Sequence, residues 1–291
     1  MKKTVENIAS EPAPEDWGGK WTELKLTAFI EYLKAYLMIL NKQKWEKIYF
    51  DGFAGTGERI IKKKKLPDLF DYEIEQLNTE EITLYQGSVS RVLHLEAPYL
   101  FNYYYFIESN EESVASLEEL KKRITHIPKE RIVIRKEDCN TQLTILAKAM
   151  KSKKYVSLVL LDPFGMHIDW ENIAQLKDTR TDIWVLIPSG VAINRLLDRA
   201  GRIKAMKKLE SFFGLSEADI TAIFYPTTQS DTLFGEATTT KKVDNPIDKI
   251  IEVYSKQLKS VWKHVSKPLV LKNSKNNPIF ISFLHQIAMP D

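Results

Sequence analysis

An α/β fold, with a mostly parallel sheet covered by helices on both faces, is what this sequence predicts, and three observations carry it. Between residues 47 and 187, strand-length apolar runs alternate with segments of helical period, the pattern of successive strand–helix–strand units. The runs at 156–161 and 182–187 are almost continuously apolar, as strands buried on both faces must be. The first strand ends in Asp51-Gly52-Phe53-Ala54-Gly55-Thr56-Gly57, which sets an acid and three glycines within seven positions. Backbone without Cβ atoms there lets a ligand lie directly on the main chain.

Each element follows from its own pattern. Residues 21–40 place Leu24, Leu26, Phe29, Ile30, Leu33, Leu37 and Leu40 at helical spacing, with Thr22 as the N-cap. A strand at 47–50 runs into the glycine loop. Residues 58–86 hold Lys62 to Lys65, Pro67 and a dense set of acids. That is too long and too polar for a simple connection, and it reads as an insertion or a flap over substrate. Gly87 and Ser88 open a helix through His94. A strand at 103–107 follows, then a helix at 111–124 with Leu117 and Leu120 on one face. A strand at 131–135, a helix at 141–150, the strand at 156–161, a short helix at 170–176 and the strand at 182–187 complete the alternation.

Beyond Ser189, helices are expected at 202–213 and 247–264. Runs at 268–271 and 279–285, either side of a polar 272–278, read as a terminal antiparallel hairpin. The predicted sheet has seven strands, the last antiparallel. The organisation is a flexible tail over 1–20 and one domain over 21–291, with insertions near 58–86 and 190–245.

Composition narrows the function. Hydrophobic residues make up 44% of the 291 positions and charged residues 28%, enough for a sizeable core in an ordinary soluble chain. With 42 basic against 39 acidic side chains the net charge is +3. That balance does not demand nucleic acid, and it permits a local basic patch. One cysteine, Cys139, excludes a disulfide framework and a cysteine metal cluster. Residues 1–16 are polar with two prolines, unlike a signal peptide, and no apolar run approaches the roughly 18 residues that span a bilayer. An intracellular, cytoplasmic location is expected.

The chemistry belongs after the strands, because ligands of an open α/β sheet bind outside the carboxyl ends. Asp51 and the glycine loop follow the first strand and Glu108 the second. Asp138-Cys139 follows the third, and Asp162-Pro163-Phe164-Gly165 the fourth. Four successive strands thus end in an acid. An anion at Asp51 repels a nucleotide phosphate and attracts a cationic amino or sulfonium group. S-adenosylmethionine carries both cations and no phosphate, which favours methyl transfer over hydride or phosphoryl transfer.

On these residues the chain resembles class I S-adenosylmethionine-dependent methyltransferases. More closely, it is similar to the bacterial three-Cys-motif partner family. The likeness runs through Trp21-Thr22-Glu23-Leu24-Lys25-Leu26, the loop from Asp51 to Gly57, Tyr105-Phe106-Ile107-Glu108, Asp162-Pro163-Phe164-Gly165 and the closing hairpin. The resemblance implies a Rossmann-like methyltransferase fold and a neighbour-encoded three-Cys-motif protein as partner. It implies that Gly52, Phe53, Ala54, Gly55 and Gly57 underlie the methionine part, with Asp51 near its amino group. Glu108 would accept from the ribose hydroxyls. Asp138 would meet the adenine amino group, and the backbone at Cys139 the ring nitrogens, the thiol itself being a small apolar neighbour.

Asp162-Pro163-Phe164-Gly165 resembles the Asp-Pro-Pro-aromatic motif of amino-group methyltransferases, and more closely the Asp-Pro-Phe-Gly form of tRNA guanine-N2 enzymes. It departs from the former at Phe164, which replaces the second proline with no aromatic directly after it. The implied acceptor is an amino nitrogen on a nucleic-acid base or a similar planar group. Its hydrogens would bond to a carboxylate and a proline carbonyl, and an aromatic ring would stack the base.

Other features divide between two readings. His167 reads as a base or a hydrogen-bonded surface group, and Lys62 to Lys65 as a phosphate contact or a solvated face. Arg199, Arg202, Lys204, Lys207 and Lys208 read as a nucleic-acid groove or a solvated helix, whereas Tyr103-Tyr104-Tyr105 reads as sheet packing. No metal-ligand spacing is present. A dinucleotide fingerprint fails at Ile60, where a third glycine is required, and no Gly-Lys-Ser/Thr makes a P-loop. The rival from another class is a non-catalytic scaffold for the partner protein.

Overall fold

A computed structural model describes residues 19–57, 87–163, 165–189, 193–198, 202–232, 235–272 and 278–284. The N-terminal tail, the expected flap at 58–86, Arg199 and Phe164 lie outside the described residues.

Helix α1 (Gly19–Leu40) precedes β1 (Glu46–Asp51), and α2 covers 87–93. Then come β2 (Tyr103–Glu108), α3 (Glu111–Arg123), β3 (Ile132–Lys136), α4 (Cys139–Met150), β4 (Tyr155–Leu161), α5 (Trp170–Ala174) and β5 (Thr181–Ile187). These five strands are all parallel and lie in the order β3-β2-β1-β4-β5. Position in the sheet explains composition. Every residue of β5 and all but the first of β4 are buried, whereas outlying β3 exposes Arg135 and Lys136.

Alternation along each strand feeds two cores. Phe50, Val159, Leu161, Ile183 and Val185 pack with helices α4 and α5 and with the later C-terminal helices. Tyr49, Tyr104, Phe106, Leu158, Leu160 and Trp184 pack on the opposite face, against α1, α2 and α3. The parallel sheet is therefore flanked by helices on both faces, the coarse architecture that the strand–helix alternation predicts.

After β5 come a single turn, α6 (Asn194–Leu196), then α7 (Met206–Phe213) and α8 (Glu217–Phe224). A separate antiparallel ribbon follows, β6 (Thr227–Thr232) with β7 (Gly235–Thr240), before α9 (Pro246–Val261). Beside β5, β9 (Pro278–Leu284) runs antiparallel and pairs in turn with β8 (Leu269–Lys272).

Three expectations are corrected. Helix α1 begins at Gly19, so Thr22 lies inside it and is not the N-cap. The helix expected at 202–213 begins only at Met206, because Ala205 takes a left-handed conformation (φ 51°) and Ile203 bridges to Leu197. The basic stretch from Arg202 to Lys208 has no apolar face until Met206 and Leu209 supply one. The helix expected to start at Thr141 starts at Cys139, since Asp138 is its cap. Neither α8 nor the β6–β7 ribbon was foreseen, for the ribbon's strands are threonine-rich and polar. No helix among the described residues is long and apolar enough to cross a membrane.

Candidate cofactor and acceptor site

From β1 the order runs to β2 and β3 on one side and to β4 and β5 on the other. The reversal opens a crevice at the carboxyl ends of β1 and β4, where ligands of such sheets bind. Asp51 is the last residue of β1 and Asp162 the first after β4.

The glycine loop is tied to both neighbouring strands. Gly52 N–H donates to Leu160 O at 3.0 Å, and Ala54 N–H to Ile107 O at 2.9 Å. A Cβ at Gly52 would stand 2.6 Å from Cys139 Sγ and 2.7 Å from Leu161 Cδ2, so only glycine lets the loop settle onto α4 and β4. Gly57 closes the loop in the left-handed region, at φ 73°, with its would-be Cβ 2.8 Å from Leu120 Cδ2.

Within that loop the Asp51 carboxylate is fully buried. Its Oδ1 accepts from Phe53 N–H and its Oδ2 from the Tyr49 hydroxyl, each at 3.2 Å. Tyr49 is two residues back on the same face. Burial pushes the Tyr49 phenol well above its ordinary range, and the charges of Asp51 and then Asp162 push it further. The hydroxyl therefore stays a donor. Asp51 aligns with Leu160, and Asp162 lies two residues beyond it, so one side of the sheet carries Tyr49, Asp51 and Asp162.

Glu108 joins the loop from β2. Its Oε2 accepts from Gly55 N–H at 2.9 Å and its Oε1 from Asn110 N–H at 2.8 Å. A carboxylate held by two backbone amides is fixed in direction. Asp138 stands beside it, since Glu137 N–H donates to Glu108 O at 3.2 Å. The Asp138 side chain is turned into helix α4, accepting from Thr141 N–H at 2.9 Å and from the Thr141 hydroxyl at 3.3 Å. Cys139 is buried under Gly52. Burial, then Asp138 and Asp51, push its thiol well above the ordinary range, so it packs as a thiol and is not a nucleophile.

After β4, Asp162, Pro163 and Gly165 are all buried. A Cβ on Gly165 would meet the His167 imidazole at 3.4 Å. His167 is lowered below the ordinary histidine range by burial and then by Lys208, with Asp138 opposing. Asn140 clamps this loop to α4, its Nδ2 donating to His167 O at 3.0 Å and its Oδ1 accepting from Asp169 N–H at 2.9 Å. Asp169 in turn accepts from the Ser211 hydroxyl, which ties α7 to the same loop.

Asp51, Gly52, Phe53, Ala54, Gly55, Gly57, Glu108, Asp138, Cys139, Asp162, Pro163 and Gly165 thus share the carboxyl edge of the parallel strands. Two residues that sequence reasoning missed also belong there. Tyr49 was legible as the position two before Asp51 in a strand. Asn140 carried no signal, because the contacts that matter are about thirty residues away in sequence.

The set is rich in acceptors: buried carboxylates at Asp51 and Asp162 and a fixed one at Glu108. It suits a ligand with a cationic group and paired hydroxyls, and it opposes a pyrophosphate. Among the described residues, no group of three or more His, Cys, Asp or Glu side chains is placed to hold a metal ion.

No protein-family model matches this chain, and no curated protein does. Among solved structures it is similar to protein LPL1258 from Legionella pneumophila strain Philadelphia 1, described under the family model DUF519. The two share 15% identity, with a TM-score of 0.37, over 77% of this chain and 89% of that one.

Proposed function

We propose that this chain is an S-adenosylmethionine-dependent methyltransferase acting on an amino nitrogen of a nucleic-acid base or a similar planar group. The observation that carries the reading is one convergence: Asp51, the Glu108-held glycine loop and Asp162 meet at the crevice between β1 and β4. The finer view of the sheet, seven strands with an antiparallel C-terminal hairpin, is supported by the order through β5, β9 and β8.

Bound there, S-adenosylmethionine would supply an activated methyl group on a sulfonium. Asp51 would hold the amino group of the methionine part by charge, and Glu108 the ribose hydroxyls as an acceptor. Asp138 already caps α4, so it would present to the adenine amino group only the lone pairs that Thr141 leaves. Asp162 and the Pro163 carbonyl would take the two hydrogens of the acceptor amine. An exocyclic amine on a base is a poor nucleophile because its lone pair is delocalised, and two acceptors in that position localise it.

Calorimetric titration with S-adenosylmethionine, with NAD and ATP as controls, tests the reading. Binding of S-adenosylmethionine alone is expected, lost in Asp51→Ala and weakened at least tenfold in Glu108→Ala. A protein that binds none of the three is not this methyltransferase, and a scaffold for a neighbour-encoded three-Cys-motif protein takes its place.

A further inference from the structure

We propose that His167 and Lys208 form a phosphate subsite beside the acceptor motif, so that the methyl acceptor is a base within a nucleic-acid strand. The inference rests on the methyltransferase reading and narrows its acceptor to one substrate class.

Two contacts from one face of α7 place the subsite. Lys208 and Ser211 are three residues apart in that helix and share a face. The Ser211 hydroxyl donates to Asp169, and Lys208 brings its charge to His167, two residues earlier in the same loop. Asn140 of α4 holds that loop through His167 O and Asp169 N–H. The imidazole lies against Gly165, whose Cβ would stand 3.4 Å from His167 Nε2. Asp162, Pro163 and Gly165 are buried, whereas His167 and Lys208 are exposed. Gly165, His167 and Lys208 therefore make a path from the buried acceptor motif to the surface.

Both exposed side chains can donate to an anion. Among the described residues, no hydrogen bond occupies either ring nitrogen of His167, and no carboxylate pairs with Lys208. The charged groups that face the imidazole are Lys208 from α7, Asp138 at the head of α4 and Asp169 further along its own loop, which accepts from Ser211. Partial burial, then the Lys208 charge, holds His167 below its ordinary range. A phosphate set against both side chains would accept from each and offset the repulsion between them. A base whose amine reaches Asp162 and the Pro163 carbonyl has its phosphate one sugar away, on the outward side of that path. Phosphate contacts of this kind set a strand's position while the motif reads the base.

The test is fluorescence anisotropy of labelled, mixed-sequence single-stranded RNA and DNA oligonucleotides at pH 8 over a range of salt. Lys208→Glu is expected to weaken binding roughly tenfold or more. It should also flatten the dependence of log affinity on log salt by at least the roughly 0.7 that one phosphate contact on a single strand contributes. His167→Ala should weaken binding about threefold and leave that slope unchanged, because the imidazole is neutral at pH 8. Lys148→Glu reverses an exposed lysine near the opposite end of α4 and should change affinity by less than twofold.

Lys208→Glu binding within twofold of wild type would overturn the inference, as would an equal loss in Lys148→Glu. A nucleoside monophosphate that competes on equal terms would move the acceptor to a free nucleotide and overturn the strand assignment. Polyglutamate bound as tightly as the oligonucleotides would mark a surface for acidic protein instead. Wild type that binds S-adenosylmethionine and no oligonucleotide removes only this inference. Wild type that binds no S-adenosylmethionine removes the methyltransferase reading itself.

Discussion

Gly57 shows what a single residue contributes to the site. Its φ of 73° lies where side-chain-bearing residues are strained, and a Cβ there would press on Leu120 and Leu117 of α3. Gly57→Ala is therefore expected to cost about 1–3 kcal/mol through backbone strain, seen as a lower melting temperature. S-adenosylmethionine affinity should fall with it, since the loop closes through this residue. An unchanged melting temperature would show that the loop takes another conformation. At this scale the positions of the acids were legible in the sequence. Asp51, Glu108 and Asp162 stand at strand ends, and strand ends are visible as the limits of apolar runs. It was read poorly where one side chain serves another. Asp138 drew notice as a possible adenine contact, and its Oδ2 also caps α4 through Thr141, a second role left unread because a helix cap and a ligand acceptor look alike in a chain of letters. Asn140 showed nothing, because a clamp is defined by the loop that it reaches.

Between elements, that clamp is the connection that matters. Helix α4 carries the Asp138-Cys139 end of the site, and the loop from Gly165 to Asp169 carries the acceptor motif's far side. Asn140 spans them with two hydrogen bonds, and the Asp169–Ser211 contact extends the link to α7. Asn140→Ala should cost about 0.5–1.5 kcal/mol, the usual net worth of an intramolecular hydrogen bond, since one of the two bonds is exposed and the other half-buried. Hydrogen exchange is expected to speed up at Asp169 and its neighbours while strands β1 and β4 stay protected. Equal protection in both proteins would mean that the loop holds itself. Element boundaries explain the misreadings at this scale. The parallel strands were legible because burial on both faces leaves continuous apolar runs. The start of α7 was not, because the basic residues before it suit a helix by propensity while Ala205 leaves the helical region. The β6–β7 ribbon is threonine-rich and polar, with no apolar alternation in its sequence to mark two strands.

The order of the sheet was beyond any local pattern. Nothing within a strand states which strand lies beside it, so the crevice between β1 and β4 became visible only with the fold. The same assembly encloses phenols that no local pattern marks as buried together. Tyr36, Tyr49 and Tyr254 are buried, and Tyr32 donates to Asp182 at 2.6 Å, fastening α1 to β5. Burial first, then nearby Asp51 or Asp182 for the three on the α1 side, raises all four above the ordinary tyrosine range. The unfolded chain loses these protons near pH 10, whereas the folded chain keeps them. The unfolded state then binds fewer protons, so stability is fully present below pH 10 and falls as pH rises beyond it. Four such groups give a slope of about 5 kcal/mol per pH unit, against a total of about 5–15 kcal/mol for a typical domain. Circular dichroism followed from pH 8 to pH 13 should therefore show a cooperative loss of structure within about one to three units above pH 10. Phenolate absorbance should rise in the same transition, because these tyrosines ionise only as the core opens. Phenolate appearing for all tyrosines before any loss of structure would show that solvent reaches the phenols in the folded protein. The packing of α1 on the sheet, which shields Tyr49 and hence Asp51, would then need to be redrawn.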